Sequence, residues 1–491
     1  MRKGLIVNDD GWSSYMRHPA PMTPEEIARV TVEPLAGTGV IAYQFCALGG
    51  HAVNYRSGFL PRIGDGMERI DTLHVWRMRE TLRHLAELGT DPLRIVADAC
   101  HRHGIGCQFS LRMNDAHHTY RRADGAPYFP ELLSPWLDAH PGALLPGGQL
   151  DYAHPDVHAY RITQIREVLQ TYPVDGIDLD FTRSRPWLRA GEEQAHAPRM
   201  TDLVRRLRDL AGERTLSARF EYSPGVCMAS GLAVEDWLAE GLLDQITLGG
   251  VGDHTPDAPS AWWVERAHRT GCRVYPGLEG QLHWIPSCGS GGTGLRAGNG
   301  VVDGFGPPSI EYMRAVAALH YLDGADGVSL YNFTCCDGPW DRRALTELAD
   351  PDALRVADKQ YVLALWPPDA QIYHHEWTSR FRLDPGQTEV SYPFRIADDN
   401  ARAARLTLDL KAVNRLDDLQ VLVNGTALVA TEYRYNHYDH GCWNDIVQYT
   451  VPPHALRLGA NAFTLRRLSD LPGFEGAIEV RKCVLEVSFG E

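Results

Sequence analysis

Eight short runs rich in Val, Ile and Leu alternate with longer amphipathic segments over the first two thirds of the chain. This alternation is typical of βα units around a parallel sheet, and eight units predict a closed (β/α)8 TIM barrel. An open doubly wound sheet is the alternative, but its first strand would usually lead into a glycine-rich turn, which this chain lacks. The runs are GLIVNDDG (4–11), GVIAYQFC (39–46), GIGCQFSLRMND (104–115), VDGIDLDF (174–181), TLSARFEYS (215–223), LDQITLGG (243–250), CRVYPGLEG (272–280) and GVSLYNF (327–333).

Helical patterns fill the intervals between these runs. The clearest is TPEEIARVTVEPLAG (23–37), where Thr23 is placed to cap the helix and Pro24 to begin its first turn. The others are HAYRITQIREVLQTY (158–172), RMTDLVRRLRDLAG (199–212) and AVEDWLAEGLL (233–243).

The pattern changes after Asp369 to alternating runs rich in β-branched residues, separated by turn signals such as the Asn-Gly of VLVNGTAL. This texture is typical of an antiparallel β-sandwich. We therefore predict an α/β chain of two domains, with a catalytic barrel over residues 1–366 and an accessory sandwich over residues 367–491.

Charge and composition narrow the classes of partner. The 491-residue chain carries a formal charge of −15, with 48 Lys and Arg against 63 Asp and Glu, which argues against a nucleic-acid partner. No apolar run approaches the roughly 20 residues that span a bilayer, and the N-terminus lacks a signal-peptide core, so we expect a cytoplasmic location and no membrane role. In the expected cytoplasmic location the ten cysteines should be reduced thiols. Their irregular spacing matches no zinc site, so we expect no metal, and we expect no cofactor. The oligomeric state stays open.

Active sites of barrels lie at the C-terminal ends of the strands, and polar residues are concentrated at those positions here. The candidates for substrate contact are Asp9, Asp10 and Trp12 after the first run, His51 and Asn54 after the second, Arg112 and Asn114 at the third, Asp178 and Arg183 at the fourth, Trp284 after the seventh and Asn332 at the eighth.

The fourth run holds the strongest candidate for catalysis. Asp178 and Asp180 are two residues apart, so they share one face of a strand, whereas Ile177, Leu179 and Phe181 face the helices. Asp180 is closer to the mouth of the barrel and is our candidate nucleophile. Asp178 lies deeper, where it would tune the pKa of Asp180, although a structural role for both acids is the alternative.

Hydrolysis of a glycosidic bond needs a second carboxyl group to protonate the leaving oxygen. Glu221 and Glu279 each end a barrel strand, and the sequence leaves the choice between them open. Sugar rings stack on aromatic side chains, so tryptophans in the loops would support a carbohydrate substrate. Those expected in loops are Trp12, Trp187, Trp262, Trp263, Trp284 and Trp340. The glycine-rich stretch 288–306 matches no phosphate-loop pattern and is more typical of a lid.

The segment VDGIDLDFTRSR resembles the fourth-strand motif "DGI-h-LDY-x-RYP" of the glycosyl-hydrolase-like family 10 barrels. VEDWLAEGLLDQITL and VYPGLEG are similar to the same family's sixth-strand and seventh-strand segments, so the resemblance covers roughly residues 170–280. It implies a glycosidase architecture with Asp180 at the position of the proposed nucleophile. LRLGANAFTLRR resembles a strand common in galactose-binding-like sandwiches of carbohydrate enzymes.

DGIDLDFT also resembles the family 18 chitinase motif "DGxDxDxE", but Thr182 stands where that motif has its catalytic Glu. A substrate-assisted chitinase mechanism is therefore not expected. Our leading hypothesis is a glycoside hydrolase that cleaves O-glycosidic bonds of oligosaccharides. A catalytically silent carbohydrate-binding barrel, or a barrel lyase or isomerase, are the alternatives, and the last would call for a lysine or metal at a strand end.

Overall fold

The computed structural model describes most of the chain, in segments separated by short gaps. The described residues are 3–11, 13–46, 51–249, 260–279, 296–297, 300–301, 309–333, 341–362, 381–439, 442–469, 472–473 and 475–490.

Eight parallel strands form a closed barrel, which confirms the predicted fold class and all eight predicted strands. Around the barrel the order is β1-β8-β7-β6-β5-β4-β3-β2, so the first and last strands pair and close the sheet. The strands are β1 Gly4–Asp9, β2 Val40–Cys46, β3 Gly106–Arg112, β4 Gly176–Asp180, β5 Thr215–Phe220, β6 Gln245–Leu248, β7 Arg273–Glu279 and β8 Gly327–Tyr331. A further two-residue ladder pairs Arg296–Ala297 with Gly300–Val301.

Helices cover the outside of the barrel. The predicted cap is confirmed, because the Thr23 hydroxyl accepts from the Glu26 amide while the Glu26 carboxylate accepts from the Thr23 amide. The α-helices are α1 Ser13–Met16, α2 Pro24–Thr31, α3 Leu73–Glu87, α4 Pro92–Arg102, α5 Pro135–Ala139, α6 Pro155–Thr171, α7 Glu193–Ala211, α8 Pro224–Ala229, α9 Val234–Ala239, α10 Ala261–Ala267, α11 Ile310–Leu322, α12 Ala344–Glu347 and α13 Pro351–Leu354. Short 3-10 turns occur at Glu33–Leu35, His117–Thr119, Pro130–Leu132, Pro141–Ala143, His268–Thr270, Leu416–Asp418 and Pro453–Ala455.

The interior of the barrel is unusually polar. Gln108 accepts hydrogen bonds from Gln44 and Gln245, each at 3.0 Å, and Asn8 donates to Ser110 at 3.3 Å. Barrel interiors are more often filled with Val, Ile and Leu. These buried side chains bond to one another, so the floor beneath the mouth is a hydrogen-bonded layer rather than an apolar one.

Two antiparallel sheets follow the barrel, in agreement with the predicted sandwich. One has the order β9-β18-β12-β16-β15, with β10 also paired to β18, and the other has the order β11-β17-β13-β14. The strands are β9 Lys359–Val362, β10 Phe381–Leu383, β11 Glu389–Ile396, β12 Ala403–Lys411, β13 Leu419–Val423, β14 Thr426–Ala427, β15 Val429–Asp439, β16 Cys442–Val451, β17 Gly459–Arg467 and β18 Ile478–Ser488. Strand β9 precedes the boundary expected at residue 366, yet it pairs with the last strand of the chain.

A buried ion pair ties β9 to the second sheet. The Lys359 ammonium lies 2.8 Å from the Asp398 carboxylate, which also accepts from the Tyr361 hydroxyl at 2.6 Å. Arg395 forms a further ion pair with Asp323, which caps the C-terminus of α11. Among the described helices, none has the length and apolar character needed to cross a membrane.

Candidate active site

Asp180 is the last residue of β4 and lies at the C-terminal mouth of the barrel, with 3% of its surface exposed. One carboxylate oxygen, Oδ1, accepts from the Thr182 amide at 2.8 Å and from the Thr182 hydroxyl at 2.6 Å. Within the described residues the other oxygen, Oδ2, accepts no hydrogen bond. The carboxylate is therefore fixed at one oxygen and open to a reactant at the other.

Strand parity around Asp180 is as predicted. Ile177, Leu179 and Phe181 are buried in the apolar core between strands and helices, so Asp178 and Asp180 face the barrel axis. In register with Asp180 lie Arg112 on β3 and Arg219 on β5. Two buried guanidinium groups thus flank the candidate nucleophile, one on each neighbouring strand.

Asp178 is fully buried one layer below Asp180. Its Oδ2 atom accepts from the Ser110 hydroxyl at 2.8 Å, while Oδ1 has no hydrogen-bond partner among the described residues. Burial, and in smaller part the charge of Asp180, raise the pKa of Asp178 to about 6, against the opposing effect of the Ser110 hydrogen bond. Asp178 is therefore a carboxyl group that can hold a proton next to Asp180 under mildly acidic conditions.

This raised pKa makes a prediction about stability. Between pH 4 and 6 the folded protein binds more protons at Asp178 than the unfolded chain does, because the ordinary value is 3.8. The contribution of Asp178 to the free energy of unfolding of the wild-type protein therefore falls as pH rises through that window. The Asp178→Asn variant has no carboxyl group at position 178 and lacks this pH dependence. We expect the stability of Asp178→Asn relative to wild type to rise by about 2 to 3 kcal/mol between pH 4 and pH 7.

Urea unfolding of both proteins at intervals of one pH unit measures the difference. Asp209→Asn, which changes an exposed acid on α7, is the matched control and should run parallel to wild type. Parallel profiles for Asp178→Asn and wild type would contradict a raised pKa at this position.

Asp10 organises the opposite side of the mouth. Its carboxylate lies 2.6 Å from Arg112 and 3.3 Å from Arg183, and it accepts from the Tyr331 hydroxyl at 2.5 Å and the Asn332 amide at 2.9 Å. Burial alone would raise the pKa of Asp10, but the two arginines and these donors hold it well below its ordinary value. Asp10 is thus a fixed negative charge, and the predicted residues Asp10, Arg112, Arg183 and Asn332 form one cluster.

Tyr331 joins this cluster to Arg219. The Arg219 guanidinium carbon lies 4.0 Å from the centroid of the Tyr331 ring, and Arg183 also contacts the Tyr331 hydroxyl. Burial keeps the pKa of Tyr331 well above its ordinary value, so its hydroxyl remains a proton donor to Asp10. Neither Arg219 nor Tyr331 was among our predicted site residues, although parity in ARFEYS and GVSLYNF places both on inward positions.

The two candidate acids are placed differently. Glu221 follows β5, its side chain is 18% exposed, and it forms an ion pair with Arg185 at 3.4 Å. Glu279 ends β7, where its backbone is in register with Tyr331, but its side chain lies outside the described part of the structure. The choice between them therefore remains a prediction.

Four other predicted residues make contacts with protein groups. Asp9 accepts from the Tyr43 hydroxyl at 2.5 Å, and the Asn54 amide donates to the carbonyls of Gly11 and Cys46. His51 packs between His118 and Tyr160. Asn114 accepts a hydrogen bond from the Leu150 amide and donates one to the Pro186 carbonyl. All four are buried, so their predicted substrate contacts gain no support from these interactions.

Two of the six tryptophans, Trp187 and Trp263, are core residues and are not available to stack on a sugar. Trp187 and Trp263 are fully buried in the core, where Trp187 packs on Phe181 and Trp263 stacks on Phe220. Trp187 lies in the loop after β4 and Trp263 lies on helix α10, and both indoles face the core. Trp262 is partly buried beneath Arg266. The remaining three, Trp12, Trp284 and Trp340, lie outside the described residues, as does most of the stretch 288–306.

Tyrosines, rather than tryptophans, are exposed on the loop after β3. Tyr120 and Tyr128 are 52% and 56% exposed and pack around Phe129 and His117. His117 in turn bonds to Asp115 at 2.6 Å, and Asp115 to Arg112 at 2.7 Å. Hydrogen bonds from His117 through Asp115 to Arg112 therefore connect this aromatic surface to the mouth of the barrel. In the sequence, the surface could have been recognised from the two tyrosines of HHTYRRADGAPYF.

No protein-family model matches the chain, and no curated protein sequence matches it. Solved structures with similar folds include α-L-fucosidase isoenzyme 2 from Paenibacillus thiaminolyticus, with 14% identity, a TM-score of 0.38, and coverage of 72% of this chain and 49% of that one. The chain thus spans about half the length of that enzyme. Isoenzyme 1 from the same organism has 14% identity and a TM-score of 0.35, with coverage of 100% of this chain and 97% of that one.

A C-terminal domain of a putative chitinase from Desulfitobacterium hafniense DCB-2 has 13% identity and a TM-score of 0.40, with coverage of 72% of this chain and all of that one. These neighbours are glycoside hydrolases by name. Identities and scores this low leave the family of this chain undefined.

Proposed function

We propose that this chain is a glycoside hydrolase in which Asp180 acts as the nucleophile or the base. The observation that carries the proposal is the carboxylate of Asp180 at the barrel mouth, fixed through Oδ1 by Thr182 and open at Oδ2. Arg112 and Arg219 are in register with Asp180 on the two neighbouring strands, so guanidinium groups flank the carboxylate on both sides.

The chemistry requires one further carboxyl group. In a retaining reaction Asp180 Oδ2 attacks the anomeric carbon while an acid protonates the departing oxygen, and water then cleaves the resulting ester with the acid acting as base. In an inverting reaction Asp180 instead removes a proton from the attacking water, and no covalent intermediate forms. Glu221 and Glu279 are the candidates for the acid in either case.

Hydrolysis of a panel of aryl glycosides, in both anomers and with neutral and acidic sugars, tests the proposal. We expect release of the aryl alcohol from at least one member, followed by proton NMR to assign the anomer of the first sugar product. Retention would identify Asp180 as nucleophile and inversion as base. Tight binding of sugars without turnover of any aryl glycoside or oligosaccharide would instead favour a carbohydrate-binding barrel and overturn the proposal.

The acid can be identified by its dependence on the leaving group. A dinitrophenolate departs without protonation, whereas a sugar alkoxide does not, so removal of the acid should spare the first substrate and impair the second. We expect either Glu221→Gln or Glu279→Gln to lose about 10²- to 10⁴-fold in kcat/KM on an oligosaccharide while retaining activity on the dinitrophenyl glycoside.

Glu213→Gln, at an exposed position before β5, is the matched control and should affect neither substrate. The glutamate that is not the acid should resemble this control. If both variants lose activity equally on the two substrates, neither glutamate is the acid.

A further inference from the structure

Three buried arginines share the mouth of the barrel, and only two of them form ion pairs with described residues. Arg112 pairs with Asp10 and Asp115, and Arg183 pairs with Asp10. Arg219 forms no ion pair with any described residue, and no acidic side chain of the described part lies within 4.0 Å of its guanidinium nitrogens. The cluster of Arg112, Arg183 and Arg219, the arginine cluster, therefore contains one guanidinium that has no carboxylate partner among the described residues.

Uncharged groups hold Arg219 in place. Its Nε atom donates to the Gly249 carbonyl at 2.9 Å, and its guanidinium stacks on the Tyr331 ring, so the plane of the group is fixed from two sides. Only 4% of the residue is exposed. Burial of a charge without a partner is costly, and proteins normally keep such charges only where a ligand uses them.

Unused hydrogen-bond donors occur throughout the same cluster. Arg219 Nη1, Arg112 Nε and Arg183 Nε are buried and have no hydrogen-bond partner among the described residues. Buried donors are satisfied in the great majority of cases, and each unmatched one costs roughly 1–3 kcal/mol. Three unmatched N–H groups on three adjacent guanidinium groups favour an acceptor that carries negative charge.

We propose that the arginine cluster binds an anionic substituent, a carboxylate or a sulfate ester, on the sugar whose bond is cleaved, and that Arg219 supplies the principal contact. This inference rests on the proposed function in that it names the substrate class of the same site. Arg219 is in register with Asp180 on the adjacent strand, so an anion bound there belongs to the sugar beside the candidate nucleophile. The fixed negative charges of Asp10 and Asp115 hold Arg112 and Arg183 in place for the same ligand.

Calorimetric binding of monosaccharides tests the proposal without relying on turnover. The probes are glucuronate, galacturonate, glucose 6-sulfate and galactose 6-sulfate, each compared with its neutral parent sugar. We expect at least one anionic sugar to bind the wild-type protein about 10- to 100-fold more tightly than its neutral parent, which corresponds to one charge-assisted hydrogen bond. Because the uronates and the sugar sulfates are titrated separately, the experiment shows whether a carboxylate or a sulfate ester is recognised.

Substitution of Arg219 shows which group is responsible. We expect Arg219→Gln to lose the preference for the anionic sugar and Arg219→Lys to recover part of it. Arg214→Gln, at the exposed position immediately before the same strand, should leave the preference unchanged. Circular dichroism and thermal melting confirm that each variant is folded. The comparison of anionic with neutral sugars on the wild-type protein tests for the anion site even if the Arg219→Gln variant does not fold.

Three outcomes would overturn the inference. Wild-type protein that binds no anionic sugar more tightly than its neutral parent would exclude an anion site, and a preference unchanged in a folded Arg219→Gln variant would exclude Arg219 as its source. Hydrolysis of neutral glycosides in preference to acidic ones would also refute the substrate class but leave the proposed function standing. Anion binding without hydrolysis of any glycoside would support the site and refute the proposed function.

Discussion

Asp180→Asn is expected to lower kcat/KM by about 10³-fold or more while leaving the protein folded. Asparagine has the same shape, and its amide oxygen can still accept from the Thr182 amide and hydroxyl, as Oδ1 does now. It has neither the charge to attack an anomeric carbon nor the basicity to activate water. Asp180 forms no ion pair with a described residue, so the substitution breaks no salt bridge in that part of the chain.

The measurement is steady-state hydrolysis of the best substrate from the aryl glycoside panel, together with urea unfolding of both proteins. Asp209→Asn makes the same chemical change at an exposed position on α7 and should retain full activity. Replacement of Asp180 by Ala with added azide extends the test, because a small anion can occupy the space of the missing carboxylate. Full activity of a purified Asp180→Asn protein would remove Asp180 from the mechanism.

Local patterns were sufficient to predict the barrel and the direction of its β4 side chains. Alternation along VDGIDLDF follows from the two-residue period of a strand, so the inward position of Asp180 requires no knowledge of distant residues. The eight strands were found for the same reason, since each is a short apolar run between helical segments. Thr23 and Glu26 form a capping box that depends only on their own spacing.

Contacts between distant segments were not accessible from such patterns. Trp187 belongs to a loop in sequence but packs on Phe181, because the loop after β4 folds back onto the barrel. Likewise, Asn54 appeared available for a ligand, yet its amide bonds to Gly11 and Cys46, two residues outside its own loop. Whether a polar side chain faces a substrate or supports a neighbouring loop depends on tertiary packing, which no local period encodes.

Which charged side chains meet at the mouth of the barrel could also not be predicted from the sequence. Asp10 and Arg183 are 173 positions apart, and Tyr331 lies still further along the chain, yet the closure of the barrel brings them to one point. Each was recognisable as a polar residue at a strand end. That Arg219 has no carboxylate partner in the described part of the chain could be seen only once the partners of Arg112 and Arg183 were known.

Asp10→Asn is expected to destabilise the fold by about 3 kcal/mol near neutral pH, because it removes the carboxylate that compensates two buried guanidinium groups. Arg112 keeps Asp115 as a partner, whereas Arg183 keeps no acidic partner among the described residues. The new amide keeps one oxygen, which can still accept from the Tyr331 hydroxyl, whereas its NH2 group then faces the Asn332 amide donor. The substitution therefore removes the charge and one hydrogen bond. Destabilisation on this scale would be the largest from any single site substitution considered for this chain.

The pH dependence of this loss separates charge from packing. The pKa of Asp10 in the folded protein is well below its ordinary value of 3.8, so its contribution is complete above pH 4 and declines as pH falls further, toward the folded pKa. We therefore expect the stability difference between wild type and Asp10→Asn to be constant from pH 5 to pH 7 and to shrink below pH 4. Urea unfolding across that range provides the values, with Asp209→Asn as the control that stays within about 0.5 kcal/mol of wild type. A difference that persists undiminished at pH 3 would mean that Asp10 stabilises the mouth through shape and hydrogen bonding, and that the arginines do not depend on its charge.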